Sequence, residues 1–156
     1  MYLVKYIMKT YRNGRIHKLN RRKTRCAHAH PRNKRVIVST MLEMINAVKV
    51  YHWNTRSFAE HKATDELYGK LNEHVDQFVE VLLGKRGDRL DRLNRHIELL
   101  KPRDKTDFKN RIFEYRAFLM HLETCLDAKR DTDLLSIRDE ILSDINQFIY
   151  LLTFDK

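Results

Sequence analysis

His52, His61, Asp76 and Glu80 are the residues of this chain best suited by type and spacing to do chemistry. Two imidazoles and two carboxylates are a ligand set that suits iron. Imidazole nitrogen binds iron(II), and hard carboxylate oxygen stabilises the ferric product. All four residues fall between Val50 and Leu83, a stretch that reads as the end of one amphipathic helix and the length of the next. Asp76 and Glu80 are four residues apart, so about 40° separates them around a helix and both project to one side. Each also has a plainer role to play. His52 serves equally well as a hydrogen-bonded core histidine, Asp76 and Glu80 as a solvated acidic edge, and Trp53 as an ordinary core aromatic.

The elements that must position these groups follow from hydrophobic spacing. Val38, Met41, Leu42, Ile45, Val48 and His52 recur at three-four intervals, which predicts a first helix over Val36–Asn54. Leu67, Leu71, Val75, Phe78, Val79 and Leu82 predict a second, from Ser57 or Ala59 to Leu83, stopped by Gly84 and Gly87. A short crossover helix around Arg92–Leu100 precedes Pro102. Phe108, Ile112, Tyr115, Leu119, Leu122 and Leu126 predict a third long helix over Thr106–Lys129. Leu134, Ile137, Ile141, Ile145 and Phe148 predict a fourth over Thr132–Phe154. With four Gly and two Pro in 156 residues there is little turn chemistry for a sheet. The fold class is therefore all-α: a four-helix bundle with a short crossover helix between helices 2 and 3.

Charge divides the chain in two. Residues 1–35 carry twelve Lys or Arg and no Asp or Glu, whereas the rest carries 19 basic and 21 acidic side chains. A basic N-terminal arm (1–35) thus precedes a near-neutral bundle (36–156). Arg12, Arg15, Lys18, Arg21, Arg22, Lys23, Arg25, Arg32, Lys34 and Arg35 are its candidate nucleic-acid contacts, through phosphates rather than bases. An acidic protein surface would suit the same charges, and a solvated tail is the plainer alternative. Cys26, His28 and His30 have zinc-like ligand types, but no second cluster at structural-zinc spacing. No run of about eighteen apolar residues predicts a membrane span. Cys26 and Cys125 are too few and too far apart for a disulfide framework, which points to a reducing intracellular compartment. No phosphate-cradling Gly loop and no recognisable nucleophile constellation is present.

The series His52-Trp53-Asn54, Phe58, His61, Leu67-Tyr68, Leu71, Asp76 and Glu80 resembles the ferroxidase signature of the Dps-like mini-ferritins, which protect DNA. The steps of fifteen from His61 to Asp76 and four from Asp76 to Glu80 match that signature. The resemblance implies a ferritin-like bundle and a hollow homo-oligomeric shell. It also implies an iron site shared between chains, with His52 and His61 from one and Asp76 and Glu80 from its two-fold partner. Such a protein oxidises iron(II), often with hydrogen peroxide, stores the ferric mineral, and can hold DNA by a basic arm. Trp53 would lie beside the site and absorb oxidising equivalents.

One feature of the motif departs from the family. His52 and His61 are nine residues apart, closer than the family spaces them, and the turn NTRSFAE lacks its Gly. A turn this short threatens to leave His61 out of reach, or to let the helix run straight through. The alternative function is accordingly non-catalytic. A ferritin-like bundle with a basic anchoring arm would serve as a structural component of a large assembly, such as a minor capsid or virion protein of a large DNA virus.

Overall fold

A computed structural model describes residues 31–90 and 105–154. They form four helices: α1 (Pro31–Asn54), α2 (Phe58–Arg86), α3 (Lys105–Leu122) and α4 (Thr132–Leu151). The described residues contain no strand, and no helix among them is long and apolar enough to cross a membrane. The predicted crossover helix around Arg92–Leu100 lies outside the described residues.

The predicted apolar stripes form the core. Val38, Met41, Ile45 and Val48 of α1 are buried against Leu71, Val75 and Phe78 of α2 and their counterparts on α3 and α4. Two boundaries differ most from those the spacing predicts. α1 begins at Pro31, five residues earlier than predicted, so Lys34 and Arg35 belong to a helix rather than to the arm. α3 stops at Leu122 instead of running to Lys129, although Leu126 keeps the apolar spacing and is buried. The cause is side-chain competition for the backbone. Thr124 Oγ1 donates to the His121 carbonyl (2.8 Å), and Asp127 Oδ1 accepts from the Lys129 and Arg130 amides (2.9 and 3.0 Å). α2 is closed by Gly87, whose φ of 63° is left-handed and whose amide donates to the Gly84 carbonyl. Cys125 is disulfide-bonded.

Contacts between helices fix their directions. Lys34, early in α1, donates to Asp88, just past α2 (2.5 Å), and Lys85 in the last turn of α2 donates to Asp133 in the first turn of α4 (2.7 Å). At the opposite end Tyr51 of α1 stacks on Phe108 of α3, and Phe108 meets Phe148 of α4 edge-on. Hence α2 and α3 run the same way, and each packed neighbour pair is antiparallel. α2 packs on α1 and α4, and α3 packs mainly on α4 and more lightly on α1. Around the bundle the order is α1, α2, α4, α3. The end of α2 and the start of α3 therefore lie at opposite ends, about 27 Å apart along an 18-residue helix.

Candidate functional site

The corner between α1 and α2 is built by polar side chains rather than by glycine. Ser57 caps α2, its Oγ accepting from the Glu60 amide at 3.3 Å, which is the N-terminal half of a capping box. The Glu60 carboxylate does not return to the cap. Its Oε2 instead accepts from the Tyr51 hydroxyl (2.7 Å) and from Thr55 Oγ1 (2.5 Å). Thr55 Oγ1 also accepts from the Ser57 amide at 3.2 Å. α1 therefore ends at Asn54, and the helix does not run through.

This turn brings the two predicted histidines together. The rings of His52 and His61 stack with centroids 3.9 Å apart and 22° between planes. His52 is buried and His61 exposed. Each ring bonds the other's backbone: His52 Nδ1 lies 3.1 Å from the His61 carbonyl, and His61 Nδ1 lies 3.1 Å from the His52 carbonyl. A carbonyl can only accept, so each Nδ1 carries the proton. In the neutral ring each Nε2 then keeps its lone pair. Thr64 Oγ1, 3.3 Å from His52 Nδ1, donates to the Glu60 carbonyl at 2.7 Å and steadies the same ring. The short turn thus draws His61 onto His52.

The other candidates stand apart. Asp76 and Glu80 are both exposed on α2. Asp76 is fifteen residues beyond His61, about 22 Å along a helix, so the four residues do not share one centre within a chain. Asp65, one turn after His61, comes closer, with Oδ1 3.8 Å from His52 Nε2. Among the described residues no group of three or more His, Cys, Asp or Glu is placed to hold a metal ion. Trp53 is 69 % exposed rather than core, with Lys49 Nζ 5.8 Å from its ring centroid, and Phe58 across the corner is also exposed. Of the nucleic-acid candidates, Arg12, Arg15, Lys18, Arg21, Arg22, Lys23 and Arg25 lie outside the described residues, as do Cys26, His28 and His30. Arg32 lies in α1. Lys34 is buried and committed to Asp88 and the Arg89 carbonyl, so it is not a free phosphate contact.

A second polar cluster, not predicted, joins α2 to α4. His74 Nδ1 lies 2.9 Å from Asp144, and its Nε2 lies 3.5 Å from Glu140. Lys70 bonds Gln147 and Glu66 at 3.0 Å each. The Glu66 hydrogen bond, against some desolvation, holds the Lys70 ammonium above its ordinary value. These are bonds between donors and acceptors that satisfy one another across a helix seam. The residues missed at the corner are Tyr51, Glu60, Thr64 and Asp65. For Glu60 a signal was present, the Ser57-x-x-Glu60 spacing of a capping box.

A family model matches residues 52–152, from the first histidine of the pair to the end of α4, and describes a family of unknown function, DUF5856. No curated protein and no solved structure matches the chain.

Proposed function

The chain belongs to the DUF5856 family, whose function is unknown, and we propose for it a ferritin-like role: oxidation of iron(II) at a site shared between two copies. His52 and His61 of one copy supply Nε2 ligands. Asp76 and Glu80 of the other supply carboxylate oxygen, which stabilises the ferric product. Two iron(II) ions give up one electron each, and one hydrogen peroxide takes up both, its O–O bond breaking to leave two hydroxides. The basic residues that precede Lys34 hold nucleic acid by phosphate contacts alongside.

One observation carries this reading: the reciprocal histidine pair. Histidines that bind metal ordinarily donate their other ring N–H to a carbonyl or carboxylate, which fixes the tautomer and aims the free nitrogen. His52 and His61 both donate Nδ1–H to backbone carbonyls. Two further features agree with it. The helix order, with parallel α2 and α3 on a diagonal, calls for one long connection between them, as a ferritin-like bundle would have. Asp76 and Glu80 are exposed and remote from the pair, as partner-supplied ligands must be.

The second reading, a non-catalytic component of a large assembly such as a viral shell, is favoured by the exposed rings of Trp53 and Phe58. Apolar rings left on a bundle corner suit coverage by a neighbouring chain. An anaerobic iron(II) titration followed by peroxide, run beside Asp76→Ala, separates the two. Saturable uptake and fast oxidation that the mutant loses support the ferroxidase. Equal, weak uptake by both proteins leaves only the scaffold.

A further inference from the structure

We infer that Glu60 is the positioning residue of the histidine pair, the group that makes a nine-residue spacing workable; this rests on the shared-site function proposed above. Glu60 is 7 % exposed, unusual for a carboxylate in the first turn of a helix. Burial there is tolerable because the helix N-terminus favours negative charge and because two hydroxyls donate to the carboxylate. Its position in the chain gives the contacts their consequence. The carboxylate takes the hydroxyl of Tyr51, the residue before His52, and Glu60 itself is the residue before His61.

The bridge acts at both ends of the residue. The carboxylate ties the last turn of α1 and the Thr55 turn to α2. The backbone carbonyl accepts from Thr64 Oγ1, the oxygen that also touches His52 Nδ1. Loss of the carboxylate frees Tyr51 and Thr55 from α2 and lets the two helix ends part. The Nδ1-to-carbonyl bonds that cross that gap then weaken, and each ring is free to change tautomer or turn. The Glu60 carboxylate acts on the proposed ligands through the geometry of the pair.

Glu60→Met keeps the length of the side chain and removes the acceptor, whereas Glu60→Gln keeps one acceptor oxygen. Both are made in the full chain and read in three ways. These are ring-nitrogen NMR of His52 and His61, anaerobic iron(II) titration, and helix content by circular dichroism. In the parent both rings report the Nδ1–H form. Glu60→Met is expected to give mixed tautomers and about tenfold weaker iron binding, the order of loss seen when a partner behind a ligating histidine is removed. Helix content stays near that of the parent, and Glu60→Gln restores much of the pair. Thr55→Val, which removes one donor and keeps the shape, moves the rings in the same direction and serves if Glu60→Met does not fold. Unchanged ring tautomers in both Glu60→Met and Thr55→Val overturn the assignment. A parent protein that binds no iron sinks the proposed function instead, while the NMR readout still decides the role of Glu60.

Discussion

The ring of Tyr51 lies flat on that of Phe108, centroids 3.7 Å apart and planes 4° from parallel. This contact joins the last turn of α1 to the first turn of α3, and Phe108 in turn meets Phe148 edge-on at 6.0 Å. Three helices are thus locked together at the end of the bundle that carries the histidine pair. The stacked face of Tyr51 holds the ring whose hydroxyl serves Glu60, so packing and polar network share one residue.

Phe108→Ala tests that lock. Phe108 is wholly buried, and truncating a buried Phe costs about 3–5 kcal/mol through lost burial and the cavity left behind. Urea unfolding should show a loss in that range, together with altered His52 and His61 ring signals in the folded protein. A loss below about 1 kcal/mol would mean that the end of the bundle collapses around the gap and that the stack is not its keystone.

Three glycines on or beside α2 should respond with opposite signs. Gly87 adopts φ of 63° to close the helix, a conformation that costs any L side chain about 1–2 kcal/mol. Gly69 and Gly84 lie inside α2, and a Cβ built at either meets nothing within 4 Å. Alanine at those two positions should stabilise by about 0.5–1 kcal/mol each. Thermal melts of Gly69→Ala, Gly84→Ala and Gly87→Ala decide this, with the first two rising and the third falling.

Lys85 and Asp133 make a pH-dependent clasp between α2 and α4. The Lys85 ammonium, with help from the Leu134 amide, holds the Asp133 carboxyl below its ordinary range. The same hydrogen bond raises the Lys85 ammonium. For Asp133 the folded value lies below the unfolded one, so its contribution is full above the ordinary carboxylate range and is lost as pH falls through the lowered value. For Lys85 the sign is reversed, and its contribution is lost as pH rises through the raised value. Both groups are well solvated, so the effect is small and screened by salt. Asp133→Asn should therefore lower the urea midpoint at neutral pH and at low salt, and the gap to the parent should close on acidification. A gap that is constant from neutral to acid pH would mean that the clasp contributes by shape and not by charge.

How much of this could be read in advance differs from element to element. Val38, Met41, Ile45 and Val48, or Leu67, Leu71, Val75 and Phe78, are buried as their spacing requires, because burial of an apolar stripe dominates where nothing polar competes. At the end of α3 the stripe continues to Leu126 while the helix does not. The side chains of Thr124 and Asp127 take the backbone groups that another turn would have used. Pro31 at the first position of α1 fits the known preference for proline there, although the apolar spacing begins only at Val36. The meeting of His52 with His61 was not legible from their separation. It depends on where the Glu60 carboxylate goes, and a capping-box pattern leaves open whether that carboxylate returns to its cap or crosses to Tyr51 and Thr55.

Trp53, the sole tryptophan, gives a direct probe of whether a second copy covers the corner. In one chain Trp53 is 69 % exposed, and Phe58 on the other side of the turn is exposed too. A shared site that completes His52 and His61 with a partner's carboxylates must bring that partner against the adjoining surface. Dilute protein should then emit at long wavelength and be readily quenched by acrylamide. At higher concentration the emission should move to shorter wavelength and the quenching should fall. Phe58→Ser should push the transition to higher concentration, because it removes apolar area from the surface to be covered. Emission that stays long-wavelength and quenchable at every concentration, with and without iron(II), would mean that the corner stays open to water. Asp76 and Glu80 of another copy would then have no route to the histidines, and the shared site would have to be given up.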